Sequence, residues 1–240
     1  MTIPAGLFWD GESKTFGTVP NDETLNLADV YDAKTLSIAF TASDDVTSCQ
    51  VLYEQGGGAR GLNVFIEDGA LYLAVWNYRE EGWGYRAVST AIAPGESHVA
   101  TLVFSGAADG DGSITGFLDG VAFDEAHAVG LLYRHVGDVS VGMTGDETRI
   151  HGVTHGADNA FGGRIAGVAS VNEALSGARL SELHTLLPEM DETQFDPLQD
   201  MEFLGPDEIF PGELASSNAL NLADVYDAKT LSIAFTASDD

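Results

Sequence analysis

Between residues 29 and 171 apolar and polar residues alternate with a period of two in short runs, as in Ser37-Ile38-Ala39-Phe40-Thr41 and Leu62-Asn63-Val64-Phe65-Ile66. Alternation sends successive side chains to opposite faces, so each run predicts a half-buried β-strand. The series continues at residues 71–76, 99–104, 114–118, 139–142 and 165–171. Turn signals separate the runs: Glu67-Asp68-Gly69, Asp109-Gly110-Asp111-Gly112 and Asp119-Gly120. Many short strands at this spacing predict a sandwich or a barrel. One stretch departs from the pattern. Ser176 is placed to cap a helix, Leu180, Leu183 and Leu187 recur at i, i+3 and i+7, and Pro188 stops it. That leucine stripe is expected to lie inward, across an edge or end of the sandwich.

The chain also repeats itself. LNLADVYDAKTLSIAFTASDD stands at residues 25–45 and again, letter for letter, at 220–240. The offset of 195 residues between Leu25 and Leu220 is the size of a domain rather than of a solenoid unit. The simplest reading is a fragment of a tandem array in which the second copy opens the next unit. The alternatives are a first strand copied to the end by design and a natural donor strand that pairs into a neighbouring subunit. The expected organisation is a sandwich domain over residues 1–188, an acidic connector at 189–219 and the copy at 220–240. The connector carries nine acidic residues and no basic one, mixed with Phe195, Leu198, Phe203, Ile209 and Phe210, so it is expected to pack partly on the sandwich.

Charge narrows the partners. Ten Lys and Arg against 38 Asp and Glu give a formal charge of −28 in 240 residues, which repels phosphate backbones and anionic headgroups. Nucleic acid and membrane partners are not expected. High salt or divalent cations would screen such a surface. With 44% hydrophobic residues the chain is globular, not a disordered acidic tail. No run of 18 apolar residues occurs, and the first residues have neither a basic n-region nor a long apolar h-region, so any secretion signal is expected elsewhere. Cys49 is the only cysteine, which excludes an internal disulfide and reads as a small buried hydrophobe.

Several short signatures occur in the order found in one family. Residues 25–42 are similar to its opening strand; Leu52-Tyr53-Glu54-Gln55-Gly56-Gly57 to its second strand and glycine turn; Gly61-Leu62-Asn63-Val64 to the next strand; and Gly69-Ala70-Leu71-Tyr72-Leu73 to its hairpin. His98-Val99-Ala100, Phe117-Leu118-Asp119-Gly120, Phe161-Gly162-Gly163-Arg164-Ile165 and Asn172-Glu173-Ala174-Leu175-Ser176 follow in place. Over residues 20–188 the chain resembles the laminin G-like, or concanavalin A-like lectin and glucanase, β-sandwich family. The resemblance implies an all-β, two-sheet antiparallel jelly-roll-like sandwich with one short C-terminal helix, an extracellular setting and calcium as the candidate metal. Two departures are Ser97 before His98, where a Trp is usual, and Ala166 after Ile165, where many relatives carry Asp.

Catalysis has little support. Glycosidases of this sandwich resemble one another in a Glu-x-Asp-x-Glu strand, whose alternation points three carboxylates to one face; the chain has none. Glu80-Glu81, Asp44-Asp45 and Asp124-Glu125 place neighbours on opposite faces or in turns. His151 and His155 lie four apart without a third ligand at zinc spacing. Nucleophile-elbow, P-loop and dinucleotide fingerprints are also missing. The richest cluster is residues 76–86, read as a hairpin with Trp76, Tyr78, Arg79, Trp83 and Tyr85 as candidate ligand-binding residues, because flat rings beside Arg and Asn suit sugar stacking. Rings filling a sheet face explain the same pattern. For calcium, the best loop oxygens are Asp109, Asp111, Asp146, Asp158 and Asn159, although Asp-Gly pairs also serve as ordinary turns. The leading expectation is a noncatalytic adhesion or binding module for glycan or protein, one unit of an array of neighbouring copies. Its rivals are a self-assembling subunit, in which the copied strand replaces residues 36–41 of the next molecule, and a polysaccharide-active enzyme.

Overall fold

The structure, a computed structural model, describes residues 30–79 and 81–187 together with the backbone of short strands at 7–8, 17–19 and 230–234. In chain order the elements are β1 (Leu7–Phe8), β2 (Gly17–Val19), β3 (Val30–Tyr31), β4 (Ala33–Thr41), β5 (Gln50–Gly56), β6 (Arg60–Glu67), β7 (Ala70–Asn77), β8 (Gly84–Ala91) and β9 (Ser97–Ser105). They continue as β10 (Gly112–Leu118), β11 (Val121–Val129), β12 (Leu132–Tyr133), β13 (Val139–Val141), β14 (Thr148–Ile150), β15 (Val153–His155), β16 (Arg164–Val171), α1 (Gly177–Leu186) and β17 (Thr230–Ala234).

Two sheets form the sandwich. The first is ordered β1-β16-β4-β9-β10-β11, with β17 also on β16; the second is ordered β2-β13-β5-β6-β7-β8. All paired strands run antiparallel. The inward halves of the alternation meet between the sheets, where Leu36, Ile38, Phe40, Leu73, Leu102 and Phe104 are among the buried residues. The Asp-Gly signals behave as expected. Asp68 and Gly69 have φ of 51° and 76°, Asp119 and Gly120 of 51° and 81°, the left-handed pair that a tight two-residue hairpin requires. Asp119 does more than turn the chain, since its Oδ1 accepts from Val99 N at 2.8 Å and its Oδ2 pairs with His98 Nδ1 at 2.7 Å.

The helix forms with its leucine stripe inward as the spacing predicts, but it lies over the face of the first sheet rather than across an edge or end of the sandwich. Leu180, Leu183 and Leu187 are buried on the outer face of the first sheet against Ala39, Val99, Ala169 and Val171. Ser176 takes the extended N-cap conformation, but its side chain makes no capping hydrogen bond. A hydroxyl chain ties the helix down, with Ser37 Oγ 2.6 Å from Thr101 Oγ1 and Thr101 Oγ1 2.7 Å from His184 Nε2.

The copied segment reappears in an informative place. Residues Gly167, Val168, Ala169, Ser170 and Val171 of β16 pair with Ala39, Ile38, Ser37, Leu36 and Thr35 on one edge. On the other edge the same five pair with Ala234, Ile233, Ser232, Leu231 and Thr230. The copy is therefore an added strand on the outer edge of β16, in the register of the original, and β4 keeps its own slot. The connector at 189–219 lies outside the described residues. Among the described residues no helix is long and apolar enough to cross a membrane.

Candidate functional site

The outer face of the second sheet carries most of the unusual chemistry. Pairing aligns Ser140, Glu54, Asn63, Ala74 and Ala87 in one row across β13, β5, β6, β7 and β8. Residues 144–155, including the β14–β15 hairpin, lie over this row. Asn63 Nδ2 donates to Thr148 Oγ1 at 2.9 Å and to Arg149 O at 2.8 Å, and Ile150 packs with Val51, Phe65 and Ala74. Glu54 is buried, its Oε1 has no hydrogen-bond partner, and burial pushes its pKa up to about 8, with the Asp146 carboxylate adding to the rise. At neutral pH this carboxyl is largely protonated. Beside it, Val136, Gly137, Asp138, Ser140, Gly145 and Asp146 line a cleft of about 250 Å³.

The hairpin's turn residues, His151 and Gly152, have φ of 50° and 80°. That turn sets the His151 imidazole edge-on to Phe65 and Tyr72, with centroids at 5.3 and 4.8 Å, while its Nε2 pairs with Glu67 Oε2 at 2.7 Å. Phe65 and Tyr72 stack on each other at 4.8 Å. Arg149 donates Nε to Gly58 O and Nη1 to Gly152 O, and its guanidinium lies 3.8 Å above the Tyr78 ring. Backbone bonds at both ends of the guanidinium hold Arg149 flat, which pre-organises a cation–aromatic stack at the surface.

The five ring and arginine candidates are divided by the fold. Trp76 and Tyr85 are paired across β7 and β8 on the outer face. Trp76 is fully buried with its indole N–H on Gly57 O at 2.8 Å, and Tyr85 is half-buried against the Phe65 cluster. Trp83 packs instead on the core between the sheets and donates to Leu131 O at 2.9 Å. Tyr78 is exposed beneath Arg149, and Arg79 is exposed, its N–H bonded to Asn77 Oδ1.

The metal candidates sit in two places. Asp109 Oδ1 accepts from Asp111 N at 3.2 Å, an Asx turn at the β9–β10 connection. Asp158 and Asn159 act through their carbonyls, which accept from Thr144 N and Val51 N. Asp146 lines the cleft near Glu54. Among the described residues no three His, Cys, Asp or Glu side chains come together as a metal site. Cys49 packs half-buried against the Phe65 cluster, and burial with the nearby Glu67 pushes its thiol up to about 12, so it stays protonated.

Sequence reasoning missed Glu54, Asn63, Arg149 and the His151–Glu67 pair. One signal was available for the first: Glu54 is the single charge inside the strand run Gln50-Val51-Leu52-Tyr53-Glu54-Gln55, which the structure buries on both faces.

No family model and no curated protein matches this chain. Solved structures do. The binding domain of botulinum neurotoxin serotype G is similar at a TM-score of 0.53 and 8% identity, over 75% of this chain and 42% of that one. The binding domain of serotype C1 is similar at 0.52 and 12% identity, over 84% and 44%. A pentraxin from Limulus polyphemus is similar at 0.48 and 14%, over 70% and 80%. The chain thus spans less than half of the toxin chains it matches. Its class is the two-sheet antiparallel sandwich, and within that class its fold is the concanavalin A-like lectin and glucanase jelly roll.

Proposed function

We propose that this chain is a noncatalytic extracellular binding module, one unit of a tandem array, that takes a glycan or a protein on the outer face of its second sheet. The observation that carries the reading is the Arg149 guanidinium held flat on the exposed Tyr78 ring beside Tyr85 and the β14–β15 turn. A stacked arginine offers fixed donors to hydroxyl or carboxylate oxygens next to an apolar ring edge, a combination suited to a sugar. One of the similar structures is a toxin binding domain in complex with SialylT, which agrees with a sugar-type ligand without specifying it. Calcium enters as a variable of the test.

A glycan array is the direct experiment, run with and without calcium on the chain and on Tyr78→Ala and Arg149→Ala. The reading expects signal that both substitutions remove while the folded state persists. An array that stays blank in both conditions overturns the glycan version and leaves protein ligands to be sought by the same variants.

A second reading, a self-assembling subunit, is favoured by the register of β17 on β16. The same strand offered by a neighbouring molecule fits that edge by identity. Light scattering on the full chain and on Ser232→Pro separates the two: a concentration-independent monomer in both rejects assembly.

A further inference from the structure

At the end of the sandwich Lys34 and Asn172 are the residues next to Thr35 and Val171, the last pair of the β4–β16 ladder. Lys34 is 3% exposed, and its Nζ lies 3.2 Å from Asn172 Oδ1 and 5.3 Å from the centre of the Tyr31 ring. The amine thus hydrogen-bonds the oxygen of the amide whose carbon, Asn172 Cγ, it would attack, and the two side chains are held together away from solvent. The turn carrying Asn172 is clamped onto β4 from the next position. Thr35 Oγ1 donates to Glu173 O at 2.7 Å and accepts from Leu175 N at 2.9 Å.

We propose that Lys34 and Asn172 become joined by an intramolecular isopeptide bond. The Lys34 Nζ attacks the Asn172 side-chain carbonyl carbon; the Nζ–Cγ bond forms, the Cγ–Nδ2 bond breaks, and one Nζ hydrogen leaves with Nδ2 as ammonia. No oxidant or cofactor is consumed. Two features suit the step. Burial brings the Lys34 ammonium down to about 7, so much of it is the neutral nucleophile at physiological pH. His135, held neutral by burial with its pKa down to about 4, lines the same cavity of about 20 Å³ as Lys34 and Tyr31. Its Nδ1 faces Gly137 O at 2.9 Å and carries the hydrogen, which leaves Nε2 as the basic nitrogen that can relay a proton. Thr35 is a positioning residue. The bond links points 138 residues apart in the chain and ties the start of β4 to the segment after β16.

Intact-mass spectrometry of the full chain under denaturing conditions tests this without needing any variant to fold. The expected result is a mass below that of the sequence by about 17 Da, one ammonia, and a branched tryptic peptide joining the Lys34 and Asn172 segments. Lys34→Arg and Asn172→Ala are expected to show the full mass, and Thr35→Val and His135→Ala a slower loss. A full mass after prolonged incubation at pH 8 overturns the proposal. So does a loss of ammonia that persists in Lys34→Arg, because Asn172 would then be closing on its own backbone.

Discussion

The outer faces of the two sheets are covered by opposite means. On the first sheet α1 lays Leu180, Leu183 and Leu187 over Ala39, Val99, Ala169 and Val171, and its polar contacts form one short chain through Ser37, Thr101 and His184. On the second, the cover is irregular chain and a three-residue-strand hairpin, held by Asn63, Arg149 and the His151–Glu67 pair above a buried carboxyl. The leucine contacts of the first lid are indifferent to pH and salt, and its titratable contact with the sheet is His184, which burial holds below its usual range. A polar lid over Glu54 responds to both, and it leaves the stacked arginine at the surface.

Side-chain deletion where each cover meets its sheet is expected to cost most. Phe65→Ala removes a fully buried ring and is expected to cost about 3–5 kcal/mol, and Leu183→Ala about 2–5 kcal/mol, by urea denaturation. A cost near zero for Leu183→Ala would mean that α1 does not seal its face.

The two faces should part company in their pH dependence. The folded pKa of Glu54 lies above its ordinary value of 4.5, so the native state keeps a proton that the unfolded chain releases. Its contribution to stability falls as pH rises from about 4.5 to about 8 and is flat above. Glu54→Gln is expected to remove that slope and to gain about 1–3 kcal/mol at the alkaline end. A variant whose stability curve runs parallel to the parent would show that Glu54 is ionised throughout.

Smaller effects come from single hydrogen bonds. Asn63→Ala leaves Thr148 Oγ1 and Arg149 O without their donor and is expected to cost about 1–3 kcal/mol. Faster amide exchange should follow at residues 148–155 and not in α1. Tyr78→Ala, which removes the ring under Arg149 at an exposed position, is expected to cost only about 0.5–1 kcal/mol while abolishing ligand capture.

The same contrast explains what could be read in advance. The cover of the first sheet was legible because a leucine every three or four residues has one meaning next to a strand-rich chain. Strands β4, β6, β7, β9, β10, β13 and β16 were legible from alternation. Strand β11 was not, because Val121–Val129 is an edge with almost no buried side. The cover of the second sheet was also hidden. Its grip on Asn63 and Tyr78 runs through contacts more than 70 residues apart, such as the 85 between Asn63 and Thr148, and no local period encodes them. Trp83, two residues before Tyr85, lies on the opposite face for a related reason. The β7–β8 turn ends pairing at Gly84, so the strand period does not extend to position 83.

The two-sided pairing of β16 also has a consequence for how the chain finds its fold. Gly167–Val171 meets the same five letters on either flank, so nothing in local side-chain recognition tells residues 35–39 from residues 230–234. The distinction rests on order of arrival and on what else each copy can grasp: the first also pairs with β9 along its whole length. During synthesis the earlier copy emerges first and claims the slot between β16 and β9. On refolding from denaturant both copies compete at once, which is expected to add a slow population with the two copies exchanged in the same register, one that a chain made vectorially avoids.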